Sequence, residues 1–205
     1  MWWAEVHGLA ARLESLIPDG MDHINASVLI ETGACLDVSG GPIIIGAGTR
    51  VCAGAMLRGP LHIGRGGLIG NQTMIRGPAL IGDNVRIGFA TEIKQALIGS
   101  NVSIGPQCFI GDSRVDDNAY LGAQVRTSNQ RLDRQPISVR DGKQEIATGH
   151  DKLGCWIGAR SSLGIQVIVL PGRVIAADSL FEPRITIARN YPAGHYRAVQ
   201  TIAAV

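Results

Sequence analysis

Apolar residues recur along this chain with a period of six. One phase runs unbroken from Ile45 through Val51, Leu57, Ile63, Ile69, Ile75, Ile81 and Ile87 to Ile93. A one-residue slip moves it to Ile98, Ile104 and Ile110, and a second slip to Val115 and Leu121. The phase returns at Ile157 and continues through Leu163, Val169, Ile175, Phe181 and Ile187. A fixed period of this kind predicts a parallel β-helix. Each unit is a short strand with one inward aliphatic, followed by a corner where Gly or a small polar residue tolerates the turn. Three units make one triangular coil. Stacked coils bury the aliphatic column and pair their strands with the coils above and below.

Two ends and one interruption depart from the period. Residues 4–17, AEVHGLAARLESLI, place Val6, Leu9, Ala10, Leu13, Leu16 and Ile17 at helical spacing, and Pro18-Asp19-Gly20 ends the run. Residues 1–20 are expected to cap the first coil, with a partner-binding helix as the alternative. The β-helix domain itself spans 21–190. From about 129 to 152, NQRLDRQPISVRDGKQEIATGHDK, the repeat disappears, and Asp141-Gly142 reads as a hairpin turn between short strands. An excursion from a solenoid marks a binding face. The tail, 191–205, is expected to form another cap with helical character.

Composition narrows the class. Hydrophobic residues make up 45% of the chain but aromatics only 4%, so the core must be built of Ile, Val, Leu and Ala in thin, regular layers. The chain is therefore expected to be all-β apart from its ends. Its 27 glycines exceed the usual share of about 7%, which suits many tight corners. A net charge of +2, from 19 basic and 17 acidic residues, gives no reason to expect a nucleic-acid partner. The start MWWAEVHGLA has no charged region followed by an apolar one, and no long apolar span or lipidation signal follows; neither secretion nor a membrane partner is expected. Cysteines at 35, 52, 108 and 155 form no CxxC pair, so reduced thiols in a cytoplasmic setting are expected.

The slot after each inward aliphatic holds Gly46, Cys52, Arg58, Gly64, Gly70, Arg76, Gly82, Gly88 and Lys94. The three cations are each one coil apart, so they stack along one edge with about 4.8 Å between coils. They repel each other unless their heads splay into water or an anion sits between them. The edge is thus either solvated or an anion site, most simply for a phosphate-bearing ligand. Glu92, two residues before Lys94, is placed to hold Lys94 or to accept from a ligand hydroxyl or amine.

These residues carry a resemblance. VRIGFATEIKQALIGSNVSIGPQCFIGDS, Val85 to Ser113, resembles the acetyltransferase half of bifunctional N-acetylglucosamine-1-phosphate uridyltransferase / glucosamine-1-phosphate acetyltransferase, and related sugar-phosphate nucleotidylyltransferases with a C-terminal hexapeptide domain. The likeness includes the GPIIIGAGTRV entry, GAQVRTSNQR and the KLGCWIG return, covering about residues 40–190. It implies a left-handed, single-stranded β-helix and a homotrimer with clefts between subunits. It also implies acetyl-CoA or another acyl-CoA as co-substrate, no metal in the transfer site, and an amino-sugar phosphate or nucleotide amino-sugar as acceptor. No nucleotidyltransferase domain precedes the repeats, so uridylyl transfer is not expected of this chain and a separate nucleotidyltransferase chain is a candidate partner. By the resemblance, Arg76, Glu92, Lys94 and Asn129 line the sugar-phosphate pocket, Phe109 contacts the sugar, and Arg58 joins the same edge. Ala123 matches a cofactor-lining alanine. Gln124-Val125 replaces the family's Gly-Thr, and Ile165 stands where some members have Ser.

The family's general base is a His three residues before the aromatic; here that position is Pro106. Proline takes no proton. A positioned base is worth about 10²- to 10⁴-fold in rate, whereas proximity and orientation supply about 7–11 kcal/mol; transfer would be slowed but not abolished. Of His7, His23, His62, His150 and His195, His150 at the end of the excursion is the candidate replacement, with a solvated loop histidine as the plain alternative. His62 is expected on the surface. Cys108 is either a nucleophile or a small buried apolar group. The histidine spacings offer no metal cluster. Two functions stand: an acyl-CoA-dependent N-acyltransferase attacking directly through the substrate amine, or a catalytically degenerate protein that binds sugar phosphate or acts in assembly.

Overall fold

The structure, a computed structural model, describes residues 1–16, 20–142 and 144–199. It is a single left-handed parallel β-helix with three faces. The first face is a nine-stranded sheet from Leu29–Ile30 to His195–Tyr196. The second runs from Cys35–Asp37 through Met56–Arg58 and Phe109–Gly111 to Thr186–Ile187. The third runs from His23–Ile24 through Leu61–Ile63 and Arg114–Val115 to Val174–Ile175. Two longer strands, Met74–Ile81 and Glu92–Ile98, turn the corner between the second and third faces and join them.

Every residue of the six-residue phase from Ile45 to Ile187 is at most 3% exposed. The column also takes Thr127, the next position after Leu121, before the chain leaves the helix. A second inward position, two residues before each aliphatic, holds small groups such as Thr49, Ala55, Thr73, Ala79, Val85, Thr91, Val102 and Cys108. The threonine hydroxyls there are satisfied within the coil: Thr49 donates to the Gly64 carbonyl at 2.8 Å and Thr91 to that of Gly105 at 2.9 Å. Cys108 fills the same slot, its thiol 3.2 Å from the Gly122 carbonyl, and burial pushes that thiol's pKa up. It is a core group rather than a nucleophile. At the two phase slips a five-residue spacing replaces six, with Gln95 (φ 44) and Asp112 (φ 48) in left-handed conformations, and at the first of them the ladder shifts register between Lys94 and Ala96.

The N-terminal segment does not cover the first coil. Helices α1 (Trp2–His7) and α2 (Leu9–Leu16) lie against the strands 74–81, 92–98 and 114–115, along the third face in the middle of the stack. The reason is on the outside of that face. Leu80 and Leu97 are cross-strand neighbours there, as are Trp156 and Val174, and the helices bury Val6, Leu9 and Leu13 completely. Trp2, Trp3 and Val6 pack with Ile137, Val139 and Leu153, so the excursion holds the start of the helix pair. His62, also on this face, is half-buried rather than a surface residue, and burial lowers its pKa. Ile24, Leu29 and Ile30 of the first coil remain exposed. Ile17, Pro18 and Asp19, where the helix was expected to stop, lie outside the described residues.

The excursion leaves after Thr127 and returns at Trp156. Its strands Ser138–Asp141 and Gln144–Ala147 form an antiparallel hairpin, with Gly142 (φ +57) in the turn. Residues 191–199 hold a strand, not a helix: His195–Tyr196 pairs with Leu180–Phe181. The rings of Phe181 and Tyr196 stack at 4.7 Å, with Tyr191 tilted against both, so three aromatics close the last coil. Residues 200–205 lie outside the described residues.

Candidate functional site

The cation ladder forms in register. Asp37, Arg58, Arg76, Lys94 and Gly111 are successive cross-strand partners on the second face. The cations are nevertheless neither splayed apart nor facing one another bare. Arg58 donates to Asp37 at 2.7 Å, Arg76 to Glu92 with its Nε at 3.0 Å, and Lys94 Nζ lies 3.2 Å from Asp112 Oδ2. Each cation is thus paired with a carboxylate from a neighbouring coil. Glu92 holds Arg76 rather than Lys94. Among these acids Asp112 is the buried one, with a side chain 2% exposed against 23% for Lys94.

Gly111 ends the ladder, and its missing side chain is used. A Cβ there would lie 2.8 Å from Cζ of Phe109 and 3.1 Å from Nδ2 of Asn129. The phenyl ring and the amide therefore fold over bare backbone, and Asn129 donates to Asp112. Arg76, Glu92, Lys94, Phe109 and Asn129 accordingly share one edge, with Asp112 joining Lys94 to Asn129. Gly111→Ala is expected to displace both groups. If the edge is a sugar-phosphate site, calorimetric titration of Gly111→Ala with glucosamine-1-phosphate should show at least a tenfold loss of affinity relative to the parent while the circular dichroism spectrum is unchanged; equal affinity would mean this edge is not the binding surface.

The opposite edge of the second face has another character. Phe89, Pro106, Ala123, Ile165 and Pro183 occupy the same corner in successive coils, each beside the glycine or loop backbone of the next. This ridge has no titratable side chain, and Phe89 and Ile165 are exposed. Beside it runs a glutamine ladder: Gln124 donates to Gln107 at 2.9 Å and Gln166 to Gln124 at 2.8 Å. Val125, the other departure from the family motif, is a fully buried core residue. Pro106 lies three residues from Phe109, or about 10 Å along an extended chain. A groove of about 570 Å³ lies elsewhere, between the helices and the third face; its Arg114 pairs with both Glu5 and Asp116. Among the described residues no group of three or more His, Cys, Asp or Glu is placed to hold a metal ion, and no helix is long and apolar enough to cross a membrane.

No protein-family model matches the chain. It is 54% identical over 176 residues to "Uncharacterized acetyltransferase YaiX" of Escherichia coli O6:K15:H31 (strain 536 / UPEC), covering 86% of this chain and 76% of that protein. The chain belongs to the YaiX family of hexapeptide-repeat acetyltransferases. The YaiX of Escherichia coli strain K12 is 53% identical over the same coverage. A shorter match, 32% over 69 residues (34% of this chain, 17% of that protein), is to a bifunctional sugar-1-phosphate nucleotidylyltransferase/acetyltransferase of Sulfurisphaera tokodaii. Among solved structures, UDP-N-acetylglucosamine O-acyltransferase of Moraxella catarrhalis RH4 is 18% identical with a TM-score of 0.32, covering 85% of this chain and 71% of that one. The polysialic acid O-acetyltransferase OatWY is 14% identical with a TM-score of 0.37, covering 87% and 84%.

In this YaiX-family chain one feature escaped the sequence. His7 of α1 stacks on His150 of the excursion, with ring centroids 3.5 Å apart and planes 12° from parallel. Gln95, the bulge residue next to Lys94, meets His7 Nδ1 at 3.2 Å. Burial pushes the pKa of His7 down, and the neighbouring His150 pushes it the same way; Asp112 and the Lys152 carbonyl oppose them. A helical reading of residues 4–17 shows His7 only as a polar position, and nothing in the period says which coils the helix crosses.

Proposed function

We propose that the chain is an acyl-CoA-dependent N-acyltransferase whose acceptor is an amino-sugar phosphate or nucleotide amino-sugar, working as a homotrimer. The observation that carries this is the assembly of Arg76, Glu92, Lys94, Asp112 and Asn129 around Gly111. Such an edge is charge-balanced. Two cations suit a phosphate, two carboxylates suit an amine or hydroxyls, and Phe109 offers a ring face to the sugar. The bare ridge from Phe89 to Pro183 suits the pantetheine arm, with Ala123 on its path. Transfer would be direct: the amine nitrogen bonds to the acyl carbon, the carbon–sulfur bond breaks, and CoA leaves as its thiol. The buried, raised-pKa thiol of Cys108 argues against an acyl-enzyme.

The test is acetyl transfer from acetyl-CoA to a panel of amino-sugar phosphates and nucleotide amino-sugars. Turnover above background is expected for at least one of them, with Arg76→Ala reducing kcat/KM. No turnover from a correctly folded protein would rule out the enzyme. Pro106 favours a second reading, a sugar-phosphate sensor. That reading requires calorimetric binding of sugar phosphate with none of acetyl-CoA, the reverse of what the transferase requires.

A further inference from the structure

We propose that His150, stacked on His7, is the general base of acyl transfer and takes the proton that Pro106 is unable to accept. The inference deepens the acyltransferase reading above and rests on it. Two imidazolium rings 3.5 Å apart repel strongly, so the stack disfavours charge on both at once. The two members are not equivalent. His7 has its Nε2 sealed from solvent and its Nδ1 facing the Gln95 amide, which donates to it and leaves the ring proton on Nε2. Both residues are half-buried, so the ring nitrogens left to meet an incoming amine are those of His150, with His7 as its stacking partner.

The charged groups around the pair support this division. The strand 92–98 contributes Lys94, already held by Asp112. The turn after Phe109–Gly111 contributes the Asp112 carboxylate, which favours a positive charge on His7. The excursion contributes Asp151 and Lys152, whose Nζ is bound to Gln130 at 2.7 Å. On α1, Glu5 is bound to Arg114. Gln95, the residue next to Lys94, holds His7 beside the edge proposed for the acceptor, and the stack brings His150 there with it. The step balances: as the amine nitrogen bonds to the acyl carbon it gives a proton to His150. The departing CoA thiolate takes that proton back, which restores the neutral pair. His150 is the catalytic residue, and His7 is a positioning residue.

The experiment compares the full-length parent with His150→Asn, His150→Ala and His7→Asn, using acetyl-CoA and the best acceptor of the panel. Replacing His150 should lower kcat about 10²- to 10⁴-fold with KM nearly unchanged, and remove the acid limb of the parent's pH–rate profile. Imidazole added to His150→Ala should restore part of the rate. His7→Asn should move that limb and lower kcat less. If the parent turns over and His150→Asn and His150→Ala, both folded, keep its rate and pH profile, the base assignment is overturned while the transferase stands. If the parent turns over nothing in the panel, both fall together.

Discussion

Replacing Lys94 by methionine is expected to lower the free energy of unfolding by about 3 kcal/mol. Asp112 is almost wholly buried and its two side-chain partners are the Lys94 ammonium and the Asn129 amide. Removing the ammonium leaves a carboxylate in a low-dielectric corner with only a neutral donor, and breaking a buried pair from one side costs about 3–5 kcal/mol. The lower end applies because Asn129 stays. Changing both residues, Lys94→Met with Asp112→Asn, should recover most of the loss, since no charge is then stranded. Urea unfolding monitored by circular dichroism measures both. A loss below about 1 kcal/mol in the single variant would mean that the pair is screened by water and that Asp112 is not the hub described here.

Ile75→Ala is the second large effect, about 4 kcal/mol. Ile75 is fully buried and pairs in register with Leu57 on one side and Ile93 on the other. Strand spacing along the stack is fixed near 4.8 Å by backbone hydrogen bonds, so the neighbouring aliphatics have no freedom to sink into the vacated volume. The cavity therefore stays, and the cost falls in the upper part of the usual range. Ile24 provides the internal control. It is 40% exposed in the first coil, and its replacement by alanine should cost less than about 1 kcal/mol. Equal losses at 75 and 24 would contradict a core whose burial is set by the coil stack.

What the sequence disclosed and what it withheld divide along one physical line. Inward positions are dictated by the repeat, so Ile45 to Ile187 could be placed one by one, and the stacking of Arg58, Arg76 and Lys94 followed from spacing alone. Outward contacts are not periodic. That Asp37, Glu92 and Asp112 each neutralise a cation depends on side-chain reach between coils, and Asp112 in particular looked like part of a turn motif. The helix was legible as a helix, but its resting place depended on Leu80, Leu97, Trp156 and Val174, which occupy outward positions where apolar and polar residues alternate without a period. The histidine stack joins residues 7 and 150, and no local pattern connects two segments so far apart. Pro106 was visible from the start, and the structure adds that its neighbours at the corner, Phe89 and Ala123, supply no proton acceptor either.

Because α1 and α2 roof the middle of the third face, the three corners of the prism are not equivalent. The ridge bearing Pro106 and Ala123 is the corner where the two faces without that roof meet, so a segment that belongs to no repeat gives a repetitive solid a front and a back.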